Sequence, residues 1–549
     1  MAAGTDDDRL AARDGAAALV LALTLVLAAS VRLVPGVVGG FHDDAVYAIT
    51  AKALAEGDGY HLINLPGAPP QTKYPILYPA VLALLWRAAP TLDARLVAMQ
   101  VATLIAAALA IAAAYLYVVR FRYVERWPAF AAGLLCVSAP NLLYYATQTL
   151  SEMPFALLLI ASLWATDAYV RVGSVTPRRA LGTGILAALP FLCRSAGIVV
   201  PLVALAVVAR AKRPVRWLLA GVVFVTLPWI LWMVRGIGSL AAEPIVGYQQ
   251  DYLGHWSTGY FGYASQSRLA LAAAIFGANI VKACTAVGEI TVEGTMRYLY
   301  ARSEQAWLLM LALGALSWLT IAWRARRLEL LPLTLIAYLA LVCSWPWPPD
   351  RFLIPILYFL AAAPFMVAAR ATRRFLPPRL RPVVMVLALA LVVSPNVQVL
   401  SEYASVSADS HYPYFMLPDT AVAWTSYQEA FAWLRAHSTD RDVFAAGFDS
   451  MTALYTGHPT VRPFLAHPSS LYYGASTPPL GSTNDLSEAL AAYRPRYLFV
   501  SPMPAFPEED AWYELLTDFQ REHPGELQPV YQETDPRFAI FEVHSGHDG

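Results

Sequence analysis

The chain has 549 residues, 58% of them hydrophobic and 14% charged, with a formal net charge of zero and a mean hydropathy of +0.48. Soluble domains carry about 25% charged residues, so this balance excludes a chain that is soluble throughout and leaves a membrane protein with at most one soluble appendage. Nothing in the charge favours nucleic acid, no Walker or dinucleotide fingerprint is present, and the four cysteines (Cys136, Cys193, Cys284 and Cys343) have neither disulfide nor zinc spacing.

Residues 1–14, MAAGTDDDRLAARD, are rich in acids and precede an apolar run without a small-residue cleavage site, which reads as a cytoplasmic N-terminus leading into a signal anchor and first span. Apolar segments long enough to span fall near 15–34, 97–119, 128–146, 153–170, 179–194, 196–210, 216–234, 305–323, 329–345, 352–369 and 383–400, about eleven helices within residues 15–400. The loops RFRYVER (120–126), RVGSVTPRR (171–179), RAKRPVR (210–216), RARR (324–327) and RATRRFLPPRLR (370–381) are basic and fall on one side, which the positive-inside rule makes the cytoplasm. The opposite side then receives the loops 35–96 and 235–304, the turn WPWPPDR (345–351) and everything after 400. Residues 268–290 are apolar but carry Lys282 and Glu289, and read as an interfacial or re-entrant helix, with a twelfth span as the alternative.

From residue 402 the texture changes: 20 acids stand against 7 arginines and no lysine. Helical periodicity in SYQEAFAWLRAH, DLSEALAAY and EEDAWYELLTDFQREH alternates with strand-like DVFAAG, RYLFVS, LQPVYQE and RFAIFEV, so residues 401–549 are expected to form a small extracytoplasmic α/β domain. The triplet DRD at Asp440–Asp442 precedes a strand as a turn does and has no glycine-rich nucleotide cradle beside it.

The stretch with most chemistry is FHDDAVYAITAKALAEGDGY (41–60), followed by QTKYPILYP (71–79). Asp43 and Asp44 open a short helix, expected to be amphipathic and to lie on the membrane surface; a carboxylate there can accept a proton from a hydroxyl, and Lys73 can neutralise a phosphate. The competing reading is that acids at a helix start cap it. Glu152 in TLSEMPF poses the same choice, with Thr149 or Ser151 as caps and Pro154 in the first turn. Arg194 and Arg351 sit near outer ends of spans, where snorkelling competes with phosphate binding. The aromatic stretch GYQQDYLGHWSTGYFGY (247–263) suits the interfacial belt better than sugar stacking, and His255 within it reads as a polar contact.

The run DDAVYAITAKALAEGDGY with KYPILYP resembles the first extracytoplasmic loop of the GT-C glycosyltransferases, in the branch of protein mannosyltransferases and lipid A aminoarabinose transferases. Asp44 replaces the Glu common there. SEMPF resembles the Ser-Glu-x-Pro-Phe segment of that branch, and Arg351 opens a segment similar to its Arg-Tyr-Leu-Leu-Pro, with Phe352 in place of Tyr. The resemblance implies a multi-pass α-helical membrane protein of GT-C type with a C-terminal α/β domain, residing in the plasma or inner membrane. It implies an inverting transfer of sugar from a polyprenyl-phosphate donor to a glycan, lipid or protein acceptor. Asp43 would be the base, Asp44 and Glu152 would orient base or acceptor, and Lys73, Tyr74, Arg194 and Arg351 would bind the donor, the three cations sharing its phosphate. No cofactor is implied, and no metal ligands are indicated, although a divalent metal is compatible with the chemistry. The rival classes are a transporter or lipid flippase, whose inverted repeats and glycine-broken helices are not visible, and an inactive envelope-assembly scaffold.

Overall fold

A computed structural model describes residues 3–172, 176–236, 268–410, 422–475, 477–503 and 506–544. Among these, eight helices are long and apolar enough to cross a membrane: Leu10–Ser30, Leu92–Arg120, Glu152–Arg171, Arg216–Gly236, Leu269–Thr291, Ala306–Ala325, Asp350–Phe375 and Arg381–Ala404. Arg126–Ser138 and Pro140–Thr147 make a ninth if counted as one span bent by 68°. Pro140 lies at that break, where it has no N–H to continue the helical ladder.

The expected count of about eleven therefore resolves into eight or nine full-length spans, with the helices Pro177–Cys193, Val199–Arg210 and Leu330–Cys343 shorter. Residues 268–290 lie in one continuous helix, Arg268–Thr291, long and apolar enough to cross, as the alternative of a further span requires. Its two charges, two turns apart on one face, pair with each other, Lys282 Nζ to Glu289 Oε2 at 2.8 Å, which lowers the cost of placing them in an apolar helix.

The chain forms two compact units, neither contiguous in sequence. The first is drawn from residues 1–33, 100–229 and 276–404, the second from 34–99, 230–275 and 405–549. In the first unit, contacts link the basic loops. Arg171 donates to Phe121 O at 3.3 Å, Arg213 to Val172 O at 2.6 Å, Arg324 to Tyr123 O, and Arg373 pairs with Glu125. Asp14 joins them through Arg126 at 2.7 Å. The helices Glu152–Arg171, Pro177–Cys193 and Asp350–Phe375 each have one end among these loops, so Glu152, Arg194 and Arg351 mark the opposite ends.

In the second unit a five-stranded sheet has the order β2-β1-β3-β5-β4, with β1 Phe444–Ala446, β2 Thr460–Val461, β3 Tyr497–Val500, β4 Leu527–Gln532 and β5 Ala539–Val543. β1, β2 and β3 are parallel, and β5 lies antiparallel between β3 and β4. Every residue of β3 is buried, as a central strand with an apolar run requires. Phe431, from the helix Trp424–Ala436, packs on Phe499 of β3, and Ser482 with Asp485 forms a capping box for the helix Thr483–Tyr493. The four strands expected from alternation are all present. The two-residue β2 and the helix Asp449–Thr456 carried too little pattern to be read.

Candidate active site

The helix Asp43–Glu56 is buried on nearly all faces: Asp44 to Ala51 and Ala53 have little or no exposed surface. It is therefore a core helix of the second unit and not a surface-lying amphipathic one, because the helices Leu77–Ala88 and Asp449–Thr456 pack against it. Its N-cap is His42, with no side-chain cap bond.

The two acids diverge. Asp44 is fully buried and accepts N–H bonds from Gly39 at 2.7 Å and Phe41 at 3.1 Å, closing the loop ahead of the helix. Burial pushes its pKa up to about 6 against the pull of those amides. The Asp43 side chain keeps 23% exposure, accepts the Tyr74 hydroxyl at 2.5 Å and lies 3.8 Å from His42 Nδ1. Asp43 is thus the more accessible acid, and Asp44 is the one that holds the loop.

Tyr74 is placed by Gln71, which is fully buried and whose Oε1 accepts the N–H groups of Lys73 at 2.8 Å and Tyr74 at 3.2 Å. Tyr60 Oη holds Tyr74 O at 2.7 Å, and Trp232 Nε1 holds Gln71 O at 2.9 Å. Lys73 stands beside this frame, with Nζ 5.5 Å from the Tyr74 ring centroid. The second unit therefore brings Asp43, Asp44, Lys73 and Tyr74 together.

The first unit brings together the other three. Glu152, at the start of the helix Glu152–Arg171, is fully buried, lies 2.8 Å from Arg194 Nη1 and is in contact with Arg351 Nε. Ser151 does not cap that helix; its hydroxyl meets Arg194 at 2.9 Å. Arg194 and Arg351 are therefore not cations lacking a protein acid, as a purely phosphate-binding role implied: the two arginines share the Glu152 carboxylate. The turn before Arg351 is held by Asn279, whose Nδ2 donates to Cys343 O at 3.2 Å and Trp345 O at 2.9 Å, and Lys282 reaches Asp350 at 3.3 Å.

Sequence reading missed His42, Asn279 and Asp449. His42 adjoins the acid pair and was open to notice; Asn279 and Asp449 carry no local signal. Asp442 of the DRD triplet accepts from Thr439 N at 2.7 Å and pairs with Arg496 at 2.8 Å, as a turn residue does. Residues 247–263, with His255, lie outside the described residues. Among the described residues, no three His, Cys, Asp or Glu side chains are grouped to hold a metal ion.

No family profile and no curated protein sequence matches the chain. Solved structures do. The chain is similar to the oligosaccharyltransferase of Archaeoglobus fulgidus solved with Zn and sulfate, at a TM-score of 0.56 and 13% identity, covering 96% of this chain and 73% of that one. It is similar to the same organism's AglB in complex with an inhibitory peptide and a dolichol-phosphate, at 0.52 and 12%, covering 95% and 74%. ArnT from Cupriavidus metallidurans bound to undecaprenyl phosphate aligns over 100% of this chain and 99% of its own at 0.46 and 13%. The chain shares the fold of that oligosaccharyltransferase: it is mostly helical, with eight helices among the described residues long and apolar enough to cross a membrane, and a small C-terminal sheet.

Proposed function

We propose that the protein is an inverting membrane glycosyltransferase that moves a sugar from a polyprenyl-phosphate donor to a hydroxyl of an envelope lipid, glycan or protein on the extracytoplasmic face. The observation that carries this reading is the contact between Asp43 and Tyr74, which joins the acid pair to the Lys73-Tyr74-Pro75 segment and leaves the carboxylate within reach of solvent. Support for the lipid-linked donor comes from the shared fold and from a neighbour solved with a dolichol-phosphate. A site outside the cytoplasm is not supplied with nucleotide sugars.

In the proposed step the acceptor oxygen attacks the sugar C1 as its proton passes to Asp43, and the C1–O bond to phosphate breaks with its electron pair leaving on the phosphate oxygen. A single displacement inverts C1. Asp44 holds the loop that directs Asp43, and Tyr74 steadies its carboxylate. Lys73 is assigned to anionic phosphate, and the guanidinium groups of the Arg194–Glu152–Arg351 cluster to the same kind of group. The extracytoplasmic placement is supported by the basic loops that gather at the other helix ends.

Incubating the purified protein with radiolabelled polyprenyl-phosphate sugars and envelope acceptors tests the reading: labelled acceptor and released polyprenyl phosphate are expected. Transport of the intact donor lipid across proteoliposomes without sugar transfer would support a flippase instead.

A further inference from the structure

The C-terminal domain matched no chemistry in the sequence, yet it meets the turn that launches Asp43. His42 has φ 61° and ψ −60°, and Asp43 N donates to Phe41 O at 2.7 Å across it. That is a three-residue turn of the rare, strained hand, which a non-glycine residue adopts only when its surroundings impose it. Prominent in the surroundings here is the helix Asp449–Thr456. Asp449 Oδ1 lies 2.8 Å from His42 Nε2, Ser450 Oγ donates to His42 O at 3.1 Å, and Tyr455 Oη takes Val38 N at 3.0 Å while donating to Gly36 O at 2.8 Å. A Cβ on Gly39 would stand 2.6 Å from the Met451 side chain, so the loop and the helix are in direct contact.

We propose that His42 and Asp449 are positioning residues for Asp43: the C-terminal domain, through Asp449, holds the His42 imidazolium beside the Asp43 carboxylate and keeps it ionised and ready to accept a proton. The proposal rests on the reading of Asp43 as the base. Among the described residues, four charged groups face His42 or its partner. Asp43 belongs to the same turn. Asp449 comes from the helix, Arg462 follows β2 and lies 3.5 Å from Asp449, and Glu508, buried, begins the helix Glu508–Glu522. Burial and the Arg462 charge pull the imidazole pKa down, but Asp449 and Asp43 outweigh them and hold it above its usual value. Asp449, although burial opposes it, is kept below the usual carboxylate range by His42 and Arg462. Both features fit a charged imidazolium between two carboxylates.

Loss of the imidazolium would raise the Asp43 pKa, since an opposite charge at this distance favours the ionised carboxylate. In the full-length protein, His42→Gln should move the acid limb of the turnover–pH profile upward by about one pH unit, with donor binding unchanged. Asp449→Asn should do the same by another route, because His42 without its anion loses its proton at neutral pH; an NMR titration of labelled histidine should show that pKa fall. Asp43→Asn separates the two readings. Turnover retained in Asp43→Asn overturns the base and this proposal with it. Turnover lost there, with an unmoved acid limb in His42→Gln, leaves the base standing and overturns the positioning role. An unchanged His42 titration in Asp449→Asn also overturns it. Should Asp449→Asn fail to give monodisperse protein, the His42→Gln profile alone decides.

Discussion

The Tyr74 hydroxyl donates to Asp43 Oδ1 at 2.5 Å across 31 residues of sequence. A hydrogen bond to a charged acceptor stabilises the ionised form and fixes the oxygen that accepts it.

Asp43→Asn is expected to lower turnover by about 10²- to 10⁴-fold, the usual range for a lost general base, with a much smaller change in donor binding. Tyr74→Phe should act more mildly and in one direction. It removes about 1.5–3 kcal/mol of support for the carboxylate, raising the Asp43 pKa and shifting the acid limb upward. Steady-state kinetics across pH on both variants checks this; near-wild-type turnover in Asp43→Asn would reduce the acid to a structural role.

The Arg194–Glu152–Arg351 cluster makes opposite demands on stability and binding. Glu152→Gln leaves two partly buried guanidinium groups without this buried carboxylate and should destabilise the protein, by up to about 3–5 kcal/mol. Arg351→Ala leaves Glu152 paired with Arg194, so its main effect should be on donor affinity, weaker by about 1.5–3 kcal/mol. Thermal unfolding and direct donor binding on the two variants separate these effects. Unchanged donor affinity in Arg351→Ala would confine that arginine to a structural ion pair.

Asp44 predicts a pH dependence of stability. Burial raises its pKa from 3.8 to about 6, so the folded chain binds a proton there that the unfolded chain has released. That contribution is complete below about pH 4 and is lost as pH rises through about 6. The Asn variant cannot titrate and keeps an acceptor for one of the amides of Gly39 and Phe41. The melting temperature of wild type relative to Asp44→Asn should therefore decline between pH 4 and 6.5, and parallel curves would show that Asp44 does not titrate there.

Topology is tested at Ala475. Of the four native cysteines three are buried and Cys284 is partly exposed, so Ala475→Cys in a Cys284→Ser background gives a single reporter. A membrane-impermeant maleimide added to intact cells should label it. Labelling only after permeabilisation would place the C-terminal domain in the cytoplasm.

Much of the architecture was legible because membrane physics writes it locally. Apolar runs of span length, arginine-rich loops and the shift to alternating, acidic texture near residue 402 each declare themselves within a few dozen residues. The strands Tyr497–Val500 and Ala539–Val543 were visible for the same reason. The acid pair, Lys73-Tyr74, Glu152, Arg194 and Arg351 were also nameable one at a time.

What only the tertiary structure decided is which side chains face each other. By sequence Arg194 and Arg351 were cations in search of a phosphate; in the fold they meet at Glu152. Asp43 and Asp44 were a pair; in the fold one is partly open and one is sealed, because successive residues of a helix point about 100° apart and the Gly39–Phe41 loop closes over only one of them. The bounds of the helix around Lys282 were legible; that Lys282 and Glu289 face each other on it, which lowers the cost of both charges in an apolar segment, was not. Asp449 is the extreme case. It lies 407 residues from His42, and a charge–imidazole contact across that separation leaves no periodicity, composition or spacing in a single chain, because the contact is specified by packing of whole elements and not by neighbouring residues.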